Sequence, residues 1–197
     1  MKAVINLAIA EHGLDIRNAF SAIYMPEAES KKRVSIPVET IHQIQQSCLE
    51  HNDDMRWLIA LISDTGMRLA EAAGLHIDDI KLDEAIPYVD IKLHPWRSLK
   101  TKGSQRQVPL VGASLWAAQH IKANASSCFA FPRYADHTRC NANSASNALN
   151  KWLHSNFRKD IVIHGFRHAM RDRLRAVSCP SEMIDQIGGW SSGKIGE

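Results

Sequence analysis

One alternating segment interrupts a chain whose other apolar residues follow a helical period. In residues 86–93, IPYVDIKL, apolar and polar side chains alternate, which predicts a β-strand with one buried face. Residues 102–104, KGS, are turn-forming, and residues 107–110, QVPL, predict a returning strand. A small β-hairpin therefore sits inside a helical protein. The predicted fold class is α+β, mainly α-helical, with a small antiparallel sheet.

The remaining pattern divides the chain into three parts. Residues 1–24 predict one helix, or a helix and a turn, and the polar and charged residues 25–36 predict a linker. A new domain is expected over residues 37–197. Its predicted helices cover residues 37–50, 54–62, 67–74, 114–123, 143–156 and 166–177, with a polar loop at residues 132–142.

Composition excludes several classes of protein. The sequence has no run of 18 apolar residues, so no membrane span is expected. The apolar stretch near the start is broken by Asn6 and Glu11, which argues against a secretory signal and favours the cytosol. The four cysteines are irregularly spaced, so buried reduced thiols are favoured over a zinc ribbon or a disulfide framework.

Charge is distributed unevenly along the chain. Residues 53–90 carry nine acids and three bases, whereas residues 95–110 carry four bases and no acid. Residues 164–175 carry four arginines against one acid. Two basic segments on a weakly basic chain indicate either a local site for a polyanion or two solvated faces, and charge alone does not separate the two.

Three short segments contain residues suited to phosphate chemistry. In TGMRLAE, Glu71 follows Arg68 at i+3 and could orient its guanidinium toward a phosphate. In the hairpin LKTKGSQRQVPL, Lys100 or Lys102 could reach a phosphate as a charge or proton donor. Each segment also has a purely structural interpretation. Arg68 and Glu71 could form an exposed ion pair on a helix, and the hairpin lysines could protect an edge strand from aggregation.

The third segment, HGFRH, places His164, Arg167 and His168 on one helix face. The histidine spacing suits zinc, but no glutamate follows the first histidine and no third ligand is evident, so no metal is expected. An imidazole that moves protons beside a guanidinium that holds charge fits phosphate chemistry better. The alternative is a basic helix on a nucleic-acid backbone without catalysis.

Together, in this order and at these separations, the three segments resemble the T-G-x-R-x-x-E-x-x-x-L, lysine-hairpin and H-x-x-R-H segments of tyrosine recombinases. The Gly188-Gly189-Trp190 sequence resembles the G-H or G-W position of that family. The resemblance covers roughly residues 37–197 and implies the tyrosine-recombinase catalytic fold. Residues 1–24 resemble the last helix of the family's core-binding domain.

The resemblance also implies the roles of individual residues. Arg68 and Arg167 would clamp the scissile phosphate, and His164 would transfer a proton near it. Lys100 or Lys102 would protonate the leaving 5′-hydroxyl, and sequence does not separate the two. Trp190 would donate its indole N–H to a phosphate oxygen. Two further groups are expected around this site: supporting residues Glu71 and His168, and DNA contacts from Arg97, Arg106 and Arg171.

The family nucleophile is a tyrosine expected just after Glu197, so this chain is expected to bind DNA without cleaving it. The intact parent would perform site-specific recombination for phage or prophage integration and excision, through a 3′-phosphotyrosine and without any cofactor. Its implied partners are double-stranded attachment sites, other protomers of a tetramer, and accessory proteins that bend DNA or assist excision. The implied location is the bacterial cytoplasm, at the nucleoid.

The sequence is also compatible with three other functions. The first is a catalytically inert DNA-binding module on the same fold. The second is a type IB topoisomerase or telomere resolvase, which uses similar catalytic arginine and lysine residues. The third is a metal nuclease that uses the pairs Asp53-Asp54 and Asp78-Asp79, although acids near helix boundaries more often act as caps.

Overall fold

A computed structural model describes residues 2–21, 23, 35–100 and 104–190 of the chain. The chain divides into two compact units, Met1–Arg33 and Val34–Glu197. In the first unit, helix α1 (Lys2–Glu11) is followed by turns, so the prediction of a helix and a turn is confirmed. The predicted linker at residues 25–36 lies outside the described residues except for its last two.

The second unit is mainly helical and carries one small sheet. None of the helices in the described ranges is long and apolar enough to cross a membrane. In chain order the elements are α2 (Val38–His51), α3 (Asp54–Thr65), α4 (Leu69–Ala73), a 3₁₀ turn (Ile77–Asp79), β1 (Ile80–Lys81), β2 (Tyr88–Ile91), β3 (Arg106–Pro109), α5 (Gly112–Ala123), α6 (Ala142–Asn156), α7 (Gly165–Ala176) and α8 (Ser181–Gly188).

Helix α3 is the centre of the core and packs against α2, α5 and α7. It begins where the Asp53 carboxylate accepts the N–H of Arg56, and it ends at Gly66, whose φ of 60° suits glycine. Residues 58–63 of this helix are completely or almost completely buried. Each large aliphatic side chain among them contributes about 1.5–3 kcal/mol on burial.

The sheet has three antiparallel strands in the order β1-β2-β3. Ile80 pairs with Val89, which pairs in turn with Val108, and all three side chains are buried on one face. The hairpin of β2 and β3 confirms the sequence prediction. The short strand β1 was not predicted, because two residues are too few to show an alternating pattern.

Helix α8 was also not predicted from the sequence. It follows Pro180, and of its residues only Ile184 and Gly188 are buried. Met183, Ile184 and Ile187 do lie at helical spacing, but eight residues form only about two turns, a window too short for a firm helix prediction. Its position next to β3 and α7 matters because it leads directly into Trp190.

The acidic pairs considered for a metal nuclease lie at element boundaries. Asp53 caps α3, and the carboxylate of Asp79 accepts the backbone N–H of His76 at 3.2 Å. Within the described ranges, no group of three or more His, Cys, Asp or Glu residues is placed to hold a metal ion.

Candidate active site

Arg68 lies at the first turn of α4, immediately after the break between α3 and α4. Its backbone N–H donates to one carboxylate oxygen of Glu71 at 2.9 Å, and its Nη1 donates to the other at 2.7 Å. The Nη2 atom donates to the carbonyl of Gly189 at 3.2 Å. The Arg68 side chain keeps 23% of its surface exposed, so an oriented guanidinium still faces solvent.

Arg167 lies on α7, and its guanidinium is directed toward the turn that Arg68 contacts. The whole residue is 3% exposed, and its Nη1 donates to the carbonyl of Gly66 at 2.7 Å. Its Nη2 donates to the carbonyl of Gly188. Arg68 and Arg167 therefore both contact the Gly188-Gly189 turn, and the three motif segments meet at one site.

Glu71 is the carboxylate that the arginines share. It is 2% exposed and accepts hydrogen bonds from Arg68 and also from Arg106 on β3, whose Nη2 lies 2.9 Å away. Burial by itself would raise the pKa of Glu71, but hydrogen bonds and positive charge from Arg106, with hydrogen bonds from Arg68, hold it below its ordinary value. Glu71 is therefore ionised at neutral pH.

Positive charge exceeds negative charge in this cluster. Arg68 and Arg106 share the single carboxylate of Glu71, whereas the guanidinium of Arg167 donates to neutral carbonyls. Burial, followed by the charges of Arg68 and Arg106, lowers the pKa of Arg167 to about 10. Arg167 remains charged at neutral pH, and a bound anion would offset the repulsion between the guanidiniums.

Trp190 covers one side of the cluster. Its ring contacts two arginines of α7: the guanidinium carbon of Arg167 is 4.3 Å from the ring centroid, and that of Arg171 is 5.1 Å away. Arg171 is half-buried and lies 3.6 Å from a carboxylate oxygen of Asp185. The predicted DNA contact of Arg171 stays a prediction, since its side chain is partly accessible.

Gly188 makes room for the Trp190 ring, and a larger residue should not fit. A Cβ atom at position 188 would lie 1.8 Å from the ring. We expect Gly188→Ala to lower the free energy of unfolding by about 1–3 kcal/mol, despite the helix preference of alanine. Urea unfolding of this variant measures the effect. Adding Trp190→Leu should remove most of the loss, and an unchanged loss in the double variant would contradict this packing.

The two histidines of HGFRH lie at the surface near the start of α7. His164 precedes the first residue of α7, and both histidine side chains are exposed. Their ring centroids are 5.0 Å apart in an edge-to-face arrangement. This location leaves His164 accessible to a substrate, with the ring of His168 against it.

The structure encloses Arg97, which was predicted to contact DNA. The residue is 2% exposed, and its Nη1 donates to the backbone carbonyl of Glu71 at 2.6 Å. Its Nη2 donates to the carbonyl of Lys92 and lies 3.9 Å from the Asp79 carboxylate. Both Nη atoms of Arg97 therefore have partners within the protein.

Arg106, also predicted to contact DNA, is enclosed in a similar way. Arg106 is 9% exposed, and it donates to the Glu71 carboxylate, the Ser104 carbonyl at 2.8 Å and the Ile187 carbonyl at 2.7 Å. Strand alternation could have shown its burial. Arg106 is two residues before Val108 and therefore lies on the same, buried face of β3.

The two lysine candidates differ in what the structure describes. Lys100 is exposed at the end of the segment that leaves β2. Lys102 lies outside the described residues, as does the predicted turn apart from Ser104. The choice between Lys100 and Lys102 therefore stays open.

The contacts among Arg68, Arg167, Glu71 and Trp190 are in agreement with a comparison to known protein families. The model of the phage integrase family matches residues 35–195. The chain belongs to this family. Among curated members, tyrosine recombinase XerC of Neisseria meningitidis serogroup C is 25% identical over 193 residues, which cover 93% of this chain and 60% of that protein. XerC of Neisseria gonorrhoeae is 24% identical over the same length. The chain thus spans about three-fifths of the length of these curated relatives.

Solved structures of other recombinases share the fold. The Tn1549 transposon integrase in complex with a circular intermediate DNA has a TM-score of 0.66 at 17% identity, covering 97% of this chain and 69% of that one. The lambda integrase tetramer bound to a Holliday junction has a TM-score of 0.63 at 15% identity, covering 100% and 57%. These likenesses confirm the predicted tyrosine-recombinase catalytic fold for this member of the phage integrase family.

Proposed function

We propose that this phage integrase family member carries the phosphate-binding catalytic domain of a site-specific tyrosine recombinase. The reaction is cleavage and rejoining of double-stranded DNA at attachment sites, in integration and excision of a phage or prophage. The observation that carries the proposal is the cluster of Arg68, Arg106 and Arg167 around the one carboxylate of Glu71. A phosphodiester carries the negative charge that would balance the excess positive charge of this cluster.

In the proposed reaction, Arg68 and Arg167 hold the non-bridging oxygens of the scissile phosphate. They offset the charge that develops on those oxygens in the transition state, and the fixed hydrogen bonds of both guanidiniums make this stabilisation preorganised. Trp190 donates its indole N–H to a phosphate oxygen, and the accessible His164 transfers a proton beside it. His168 supports His164 through their ring contact.

The covalent step exchanges one phosphoester bond for another. A tyrosine oxygen attacks phosphorus and gives its proton to His164, the bond from phosphorus to the 5′-oxygen breaks, and Lys100 or Lys102 gives that oxygen a proton. A 5′-hydroxyl of a partner duplex then attacks the 3′-phosphotyrosine and releases the tyrosine. The ester bond is conserved throughout, so no ATP is consumed. Tyr134 is buried and Tyr88 lies within β2; the proposed nucleophile is the tyrosine expected after Glu197.

The proposed partners follow from the same reaction. Recombination joins two DNA sites, and the lambda integrase relative is a tetramer bound to a Holliday junction. We propose that this protein also acts as a tetramer on two attachment sites, with accessory proteins that bend DNA or assist excision. The proposed location is the bacterial cytoplasm, at the nucleoid.

A suicide substrate tests the proposed function directly. The full-length protein is incubated with a duplex from its attachment site that carries a nick close to the cleavage position, so that a short fragment diffuses away after cleavage. We expect a covalent protein–DNA band on a denaturing gel, because the 5′-hydroxyl needed for rejoining is lost.

Replacing the expected nucleophilic tyrosine by phenylalanine is the matched control and should remove the band. Tight DNA binding without a band in the unsubstituted protein would replace this proposal by an inert DNA-binding module. Cleaved DNA without a covalent band, in a reaction that requires a divalent cation and survives the tyrosine substitution, would instead indicate a metal nuclease.

A further inference from the structure

The α8 turn, residues 187–189, presents three successive backbone carbonyls to three arginines from three separate elements. Its carbonyls in chain order are those of Ile187, Gly188 and Gly189, and their donors in the same order are Arg106 on β3, Arg167 on α7 and Arg68 at the start of α4. The last carbonyls of a helix lack partners within it and carry the partial negative charge of its dipole. The turn is therefore a shared partner for three positive charges and holds them next to one another.

Arg106 joins this turn to the carboxylate of Glu71. Its Nη2 donates to one carboxylate oxygen at 2.9 Å, its Nη1 donates to the other at 3.3 Å, and its Nε donates to the Ile187 carbonyl at 2.7 Å. Arg68 makes the same two kinds of contact, with Glu71 at 2.7 Å and with the carbonyl of Gly189 at 3.2 Å. The two arginines, the carboxylate and the turn thus form a closed ring of contacts, so a shift of Arg106 also shifts the groups that hold Arg68.

The α8 turn lies directly against the guanidinium of Arg106. A Cβ atom on Gly189 would lie 2.9 Å from Nη1 of Arg106 and 3.1 Å from its Cδ and Cζ atoms. Gly189 also has a φ of 60°, a backbone conformation that suits glycine. Because the Arg106 side chain is only 4% exposed, neither it nor the turn can move without displacing the other.

The turn also fixes Trp190, the residue that follows it. The backbone N–H of Trp190 donates to the carbonyl of Asp185 at 2.9 Å, and its ring lies against the guanidinium of Arg167. The position of this ring therefore depends on the position of the turn. Arg106 contacts the turn from the side of the sheet, where β3 packs against α8.

We propose that Arg106 is a positioning residue that holds the α8 turn, and with it the two phosphate-binding arginines and Trp190, in place around the scissile phosphate. This inference rests on the proposed function. Arg106 acts through Glu71 and Ile187 and touches no atom of the substrate.

A substrate with an uncharged scissile linkage tests this role. In a methylphosphonate duplex a methyl group replaces one non-bridging oxygen, so the transition state carries less negative charge for the guanidiniums to offset. A protein whose arginines are misplaced should therefore lose less activity on this substrate than on the phosphodiester. The measured quantity is the ratio of cleavage rates, methylphosphonate over phosphodiester, in the full-length protein. Because it is a ratio, it does not depend on the fraction of molecules that is folded.

Arg106→Lys is the principal variant. Lysine keeps a positive charge beside Glu71, but its single nitrogen cannot reproduce the fork that bonds both the carboxylate and the Ile187 carbonyl. We expect the ratio to rise at least roughly tenfold over that of the unsubstituted protein, since a misplacement of about 1 Å can cost about 10²-fold in rate. Arg68→Ala gives the ratio expected when a phosphate-binding arginine is lost completely.

Gly189→Ala is a second variant, which leaves Arg106 itself unchanged. Its methyl group would press on the guanidinium of Arg106, so the ratio should rise here as well. Gly13→Ala is the matched control, because Gly13 has a φ of 55° and no atom lies within 4 Å of its Cβ position. This control introduces similar backbone strain without the contact and should leave the ratio unchanged.

Fluorine NMR of the full-length protein labelled with 5-fluorotryptophan gives a second readout that does not require cleavage. The signal of Trp190 is identified by its absence in Trp190→Phe. Arg106→Lys should shift this signal, because the turn that precedes the ring moves. The signal of Trp57, whose indole N–H donates to Asn52 at the other end of α3, should stay in place.

The outcomes separate a positioning role from a purely structural one. Equal losses on both substrates in Arg106→Lys, no loss on either, or a Trp190 signal that does not move would each overturn the positioning role. If the unsubstituted protein forms no covalent complex on the phosphodiester, the proposed function itself fails. That result differs from normal cleavage by the unsubstituted protein with an unaltered ratio in the variants.

Discussion

Replacing Arg167 by lysine is expected to reduce the rate of covalent complex formation on the suicide substrate by roughly 10²–10³-fold. Lysine keeps the charge, but it cannot donate at once to the carbonyls of Gly66 and Gly188 and present a guanidinium fork to a phosphate. The pKa of Arg167, about 10, keeps the guanidinium charged at neutral pH, so the loss will not come from deprotonation. Single-turnover cleavage at pH 7 is the measurement.

The matched control for this variant lies on the same helix. Arg175→Lys changes an arginine of α7 whose side chain is 58% exposed, and its cleavage rate should stay within about threefold of normal. The thermal stabilisation of each variant by a short attachment-site duplex shows whether DNA binding survives. A folded Arg167→Lys variant that cleaves at the normal rate would show that Arg167 does not stabilise the transition state.

Glu71→Gln is expected to lower the free energy of unfolding at pH 7 by about 3–5 kcal/mol, because it leaves the buried guanidinium of Arg106 without its ionic partner. The substitution is nearly isosteric, so lost packing contributes little. Urea unfolding of the variant and of the unsubstituted protein gives the difference. Glu50→Gln, at an exposed position on α2, is the control and should change the stability by less than about 0.5 kcal/mol.

The effect of Glu71 also has a predicted pH dependence. The pKa of Glu71 is lower in the folded protein than its ordinary value, so its ionised form stabilises the fold. That contribution is complete above the unfolded pKa and is lost as the pH falls through the folded pKa. The stability curves of the two proteins should therefore converge in acid. A difference in the free energy of unfolding between the two proteins that stays constant from neutral pH to below the folded pKa would contradict an ionised Glu71 paired with Arg106.

The functional groups of the site were predictable because each lies in a short local pattern. The Thr65-Gly66 break, the i+3 spacing of Arg68 and Glu71, and the helical spacing of His164 and Arg167 depend on neighbours only a turn apart. The structure has Gly66 in the left-handed conformation and Glu71 bonded to Arg68, as this spacing predicts. Helix and hairpin periods likewise depend on local geometry alone.

Tertiary structure alone decided which basic residues are exposed and which are enclosed. Arg97 and Arg106 belong to a basic segment without acids, so they resembled a DNA-binding surface. Their partner Glu71 is 26 and 35 residues away in the sequence. Pairing across such separations, like the contact of Arg68 with the carbonyl of Gly189, exists only once helices and strands have packed together. The local sequence therefore determined which chemical groups this protein brings to the candidate site, and long-range packing determined how its arginines are paired and how far each is enclosed.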